Sequence, residues 1–158
     1  MEDKYRCQGF YRVEAIDLTT GKVVWAKEFR NLLTAVSQKA RTSALMGSPE
    51  YTMSDLQIRY FAFGDGTTPP TINDTQLANE LSRRPLTKQT LSSASTVESV
   101  CSIPPSESNF DIKEIGIFCG SSATSSPNTG LLLSRVVVDI PKNTNTVLNI
   151  IRRDVTTI

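Results

Sequence analysis

Histidine is absent from this 158-residue chain. The commonest general base and metal ligand is therefore missing. No Ser-His-Asp or Cys-His arrangement and no His-bearing zinc site can be assembled from the chain alone. Only carboxylate chemistry, or a site shared between subunits, stays open. Cysteine is scarce: Cys7, Cys101 and Cys119 are odd in number, far apart, and form no C-x-x-C pair. They read as buried free thiols, since an unpaired cysteine packs as a small hydrophobe, with one disulfide left open. Long apolar runs are missing too, because no stretch approaches the roughly 20 residues of a spanning helix. The opening Met1-Glu-Asp-Lys-Tyr-Arg6 has no apolar core, so no signal peptide is expected. A net charge of +1 gives no pull toward nucleic acid or an anionic membrane.

Hydrophobic residues make up 39% and charged residues 21%, a globular composition for one domain with a real core. Tyr11, Val13 and Ala15 alternate with Arg12 and Glu14, the pattern of a half-buried strand. Asp17-Leu-Thr-Thr-Gly21 is a turn signal and Lys22–Phe29 a second strand, so an N-terminal hairpin is expected. Residues 31–46 read as a helix of about four turns. Thr34 is its cap, Leu33, Val36, Ala40, Ala44 and Leu45 form its apolar stripe, and Gly47-Ser-Pro49 is its stop.

Leu56–Phe63 is an aromatic-rich strand ending at Gly64-Asp-Gly66, with Pro69-Pro70 stiffening the exit. A capped turn is expected over Gln76–Leu81, with Asn73-Asp-Thr75 before it. Further strands are expected at Arg84–Leu91, Val97–Ile103, Phe110–Cys119, Leu131–Ile140 and Thr146–Ile158. Their spacing suits an antiparallel sandwich. The reading is a mainly β protein: residues 1–30 form a hairpin arm, and 31–158 a helix plus β-sandwich.

Motif tests are mostly negative. Gly64-Asp-Gly66-Thr-Thr matches neither a Walker loop nor an EF-hand, and reads as a structural turn, with a weak calcium site on Asp65 and Asp74 as the minor reading. The pairs Arg83-Arg84 and Arg152-Arg153 read as solvated strand faces or interface salt bridges, not a nucleic-acid patch. Glu98, Glu107 and Glu114 are the acids a hydrolase would draw on, but strand parity favours no pair. No catalytic, cofactor or metal residue is assigned. Tyr11, Trp25 and Phe29 read as core or as contacts to a neighbouring subunit, the alternative being a sugar or receptor platform. Gly64, Asp65, Gly66 and Gly116 complete the candidate interface residues, Gly116 as a site of close backbone approach.

Several stretches in fixed order resemble a family of bacteriophage tail modules from baseplates and tail-fibre attachment regions. They are Phe63-Gly-Asp-Gly-Thr-Thr-Pro-Pro70, Asn73-Asp-Thr-Gln-Leu77, Glu80-Leu-Ser-Arg83, Glu114-Ile-Gly-Ile-Phe118 and Gly130-Leu-Leu-Leu-Ser-Arg135. The resemblance covers roughly residues 30–158 and leaves out the hairpin. It departs at Asp65, where Thr or Ser is usual, and at Cys119. It implies a non-enzymatic structural subunit of the virion tail, without cofactor. Its partners would be other tail or baseplate proteins, the tail fibre and ring-symmetric copies of itself. A chain stopping at Ile158 favours an adaptor over a host-recognition tip.

Overall fold

A computed structural model describes residues 6–157. The protein is mainly β, with two five-stranded antiparallel sheets packed face to face. Sheet 1 contains β1 (Arg6–Asp17), β2 (Val23–Arg30), β6 (Lys88–Ser93), β7 (Thr96–Ile103) and β10 (Thr146–Thr157), in the order β2-β1-β10-β7-β6. Sheet 2 contains β3 (Leu32–Leu33), β4 (Ile58–Gly64), β5 (Glu80–Pro85), β8 (Ile112–Cys119) and β9 (Leu131–Ile140), in the order β3-β9-β8-β4-β5. Among the described residues the one α-helix, α1 (Ala35–Leu45), and a short 3-10 turn (Met53–Leu56) lie between β3 and β4.

The chain passes from one sheet to the other at Asn31, at Leu86-Thr87, through residues 104–111 and through 141–145. The third and fourth passages are tied together by Lys142. Its buried ammonium donates to Pro105 O at 3.3 Å, Asn109 Oδ1 at 3.0 Å and Asn143 O at 2.6 Å. Burial pulls its pKa below the ordinary lysine value.

Alternation decides which face each strand buries. Tyr11, Val13 and Ala15 of β1 meet Leu148, Ile150 and Arg152 of β10 on the inner face of sheet 1. Phe61, Phe63, Ile115, Ile117, Val138 and Ile140 face them from sheet 2. At roughly 1.5–3 kcal/mol per fully buried large aliphatic or aromatic side chain, this layer is the dominant favourable contribution to folding. The expected hairpin is present, but β1 pairs with β10 along its whole length, from Arg6–Thr157 to Asp17–Thr146. Residues 6–30 therefore complete the sandwich instead of forming a separate arm. Tyr11 is a core residue, and Trp25 and Phe29 are half-buried against the same core.

Arg152 is fully buried, which corrects its reading as a solvated or interface cation. It sits on the inward parity of β10 after Leu148 and Ile150. Its guanidinium holds Asp154 through Nε–Oδ2 at 2.7 Å and Nη2–Oδ1 at 2.6 Å. Nη1 donates to the Tyr11 hydroxyl at 2.9 Å and to Ser134 Oγ on the opposite sheet. A buried charge is tolerable only when paired and hydrogen-bonded, and here that requirement fastens the two sheets together.

Helix α1 starts where expected. Thr34 Oγ1 accepts from Ser37 N at 3.2 Å and donates to Leu132 O, which ties the cap to β9. The helix ends at Met46, and Gly47 follows at φ +66°, the left-handed position that favours glycine. It has three turns, not four, and Leu45 is 78% exposed instead of part of the stripe. Two further differences have backbone causes. Arg84–Leu91 is not one strand, because Leu86 and Thr87 carry the chain from sheet 2 to sheet 1. Gln76–Leu81 is not helical, because Ala78 and Asn79 give their N–H groups to a buried carboxylate. Ile158 lies outside the described residues.

All three cysteines are free, Cys101 and Cys119 in the core and Cys7 half-buried. Burial raises both core thiols to about 12, so neither forms the reactive thiolate near neutrality. In a native-state titration with a thiol reagent at pH 8, only Cys7 should react rapidly. Cys101 and Cys119 should react only on unfolding. Rapid labelling of all three would contradict the placement.

Candidate functional site

The chain's unusual chemistry is concentrated on the outer face of sheet 2. There a strand face that would otherwise meet solvent is covered by two loops, residues 65–79 and 120–130. Beneath them lies a small second core of Ala62, Leu77, Phe118 and Leu132, with Tyr60 and Ala123 at its margin.

Glu114 is central to the first loop. It projects from β8 on the outward parity and is fully buried. Its Oε1 accepts from Gly66 N at 3.2 Å and Asn79 N at 2.7 Å. Its Oε2 accepts from Ala78 N at 3.0 Å and Arg135 Nε at 2.7 Å. A carboxylate has about four acceptor positions, and these four donors occupy them. Arg135, on β9 beside Gly116, uses its remaining nitrogens on the same loop. Nη1 donates to Asp74 Oδ2 and Nη2 to Thr68 O, each at 2.9 Å.

Asp74 also accepts from Thr71 N at 3.0 Å and Thr71 Oγ1 at 2.7 Å. Burial works to raise the Asp74 pKa, but the bonds from Thr71 and Arg135 outweigh it and hold the group below its ordinary value. The loop is also joined to α1, through Ala35 N donating to Ile72 O at 2.7 Å.

Three glycines let the loop lie this close. A side chain at Gly64 would meet Asn79 O, one at Gly66 would meet Glu114 Oε1 and Ala78, and one at Gly116 would meet Leu77. Leu77 packs over Gly116 in the space a Cβ would occupy.

The second loop repeats the device. The Glu80 and Arg83 side chains on β5 are buried and paired. Arg83 Nη1 donates to Thr124 O at 2.9 Å and Thr129 O at 3.0 Å, and Glu80 Oε2 accepts from Asn128 N at 2.9 Å. The Arg83 guanidinium stacks 4.4 Å from the Phe118 ring centre. This Arg is not on a solvated face.

Of the candidate interface residues, Gly64 and Gly116 lie buried beneath the first loop, so neither presents a contact surface, and Gly66 is half-buried at Glu114. Asp65 is exposed and accepts from Asn79 Nδ2 at 2.7 Å. Trp25 and Phe29 lie on the inner face of β2, across the sandwich from these loops. The calcium reading fails on charge, since Asp74 faces the Arg135 guanidinium where a cation would sit. The three hydrolase acids are scattered. Glu98 pairs with Arg153 on sheet 1 at 2.9 Å, Glu107 pairs with Arg84, and Glu114 is enclosed. Arg135 carries a signal that charge counting overlooks: it interrupts the apolar run from Leu131 to Val138. A charged residue inside a central strand must find a buried partner.

Glu114→Gln should lower stability by about 3–5 kcal/mol, the typical cost of breaking a buried pair. The amide nitrogen would face either the Ala78 N–H and Arg135 or the Gly66 and Asn79 N–H groups, donor against donor. Arg135→Lys should not rescue the fold, because one ammonium cannot serve three divergent partners. Urea unfolding of the variants measures both, and near-native stability of either would contradict the arrangement.

The lowered Asp74 pKa stabilises the fold above the ordinary carboxylate value, and that contribution is lost as pH falls through the native value. Asp74→Asn should therefore cost stability at pH 7, while wild type and variant converge toward pH 2. A pH-independent difference in urea midpoint would contradict this.

Among the described residues no helix is long and apolar enough to cross a membrane. Comparison with family models, with curated proteins and with solved structures returned no match.

Proposed function

We propose that the protein is a structural subunit of a bacteriophage tail, a baseplate or fibre-anchoring adaptor present in several copies. One observation supports this reading above the others. The Gly64–Asp74 loop, Glu114 with Gly116, and Arg135, on which the resemblance to tail modules rests, meet at one buried node. They are far apart in sequence, and their order has one physical cause, the fastening of a loop to a sheet. Residues engaged in that fastening serve a rigid, loop-decorated scaffold. Glu114, the most enclosed acid, has each oxygen engaged by two N–H donors and no free position for general acid or base work.

The partners on this reading are neighbouring tail or baseplate proteins, the fibre, and symmetry copies of the chain, and its place is the virion tail. Electron microscopy of particles made without the protein provides the test. Tails lacking fibres or arrested at the baseplate are expected. Complete tails with fibres attached would overturn the proposal.

A further inference from the structure

We propose that β2 is a self-association edge: two copies of this chain pair their β2 strands antiparallel about a two-fold axis through Ala26, joining two copies of sheet 1 into one continuous sheet. This does not require the tail reading and rests on the free strand edge and the side chains of β2.

The sandwich has four lateral edges, and three are obstructed. The flank of β5 is covered by the 104–110 loop, through Ser82 Oγ–Ser108 Oγ at 2.7 Å and the Arg84–Glu107 pair. β3 has only two residues, and beyond it Lys27 Nζ reaches across from β2 to Asp139 O at 2.8 Å. β6 is broken by a register shift between Leu91 and Ser93. β2 has eight residues and runs in unbroken register with β1 from Trp25 to Arg30. Among the described residues it has no strand partner on its other side. Its outward N–H and C=O groups form a template for another strand.

The side chains of β2 bear on the register. In a two-fold antiparallel pair, opposed residues share a face, so the axis passes through a residue that meets its own copy. An axis at Lys27 would oppose two ammonium groups, and one at Glu28 two carboxylates; like charges directly opposite are destabilising. An axis at Ala26 opposes two methyl groups and sets Trp25 of each chain beside Lys27 of the other. Within one chain Lys27 Nζ already lies 5.5 Å from the Trp25 ring centre. The same cation–π contact is then made across the axis on both sides. Val24 and Glu28 are exposed and clear of a like charge in this register.

The experiment combines mass with cross-linking on the full chain. Light scattering at about 100 μM should give a multiple of the 17.4 kDa chain mass that includes the pair. Ala26→Cys should form a reducible dimer under mild oxidation. Val24→Cys, Glu28→Cys and the wild type, which has half-buried Cys7, should form little. Circular dichroism confirms that each variant is folded. A monomeric mass for the folded wild type overturns the proposal. So does an oligomer whose Ala26→Cys variant cross-links no better than the controls, since that assembly would use another face.

Discussion

The carboxylate of Glu114 accepts four hydrogen bonds, from Gly66, Ala78, Asn79 and Arg135, and the outer half of this protein is organised by that requirement. An ionised carboxylate buried against a sheet is costly unless every acceptor position is used. The 65–79 segment has no regular structure and satisfies few of its own backbone groups. Each problem solves the other. The loop gives its N–H groups to the carboxylate, and the carboxylate fixes the path of the loop. Arg135 balances the charge and extends the attachment to Asp74 and Thr68.

The same logic recurs at two other places. Glu80 and Arg83 hold the 120–130 loop, and Arg152 with Asp154, Tyr11 and Ser134 joins the sheets through the core. In all three, a buried guanidinium makes several directed bonds to separate partners, which lysine cannot reproduce. Such pairs add little net stability compared with an apolar core of the same volume, but removing one partner is severe. Their effect is geometric: they determine where the loops lie and how the sheets register. A surface held in this way keeps one shape.

Much of the fold was legible in the sequence. The alternation at Tyr11, Val13 and Ala15, the helix cap at Thr34 with Gly47 beyond the end, and the limits of Leu131–Ile140 follow local rules that need no tertiary context. The errors have a shared origin. Gln76–Leu81 has helical spacing, Arg152 stands in a basic pair with the composition of a wet strand, and Leu45 has the spacing of a core residue. Each was overridden by contacts with residues distant in the chain, Glu114 for Asn79 and Tyr11 for Arg152, or, for Leu45, by the absence of a packing surface at the helix end.

The sequence alone determined the class of the protein: alternating strands broken by Gly and Pro, one capped helix, and no histidine for nucleophile activation or metal binding. Those properties depend on residue type and short-range spacing. Tertiary structure decided that Glu114, Arg135 and the Gly64–Asp74 loop form one unit, that Tyr11 and Arg152 belong to the core, and that β2 has, among the described residues, an unpaired edge. Strand order is set by which sheet each passage of the chain enters, and burial of charge depends on partners brought together by that order. Neither is encoded within a window of a few residues.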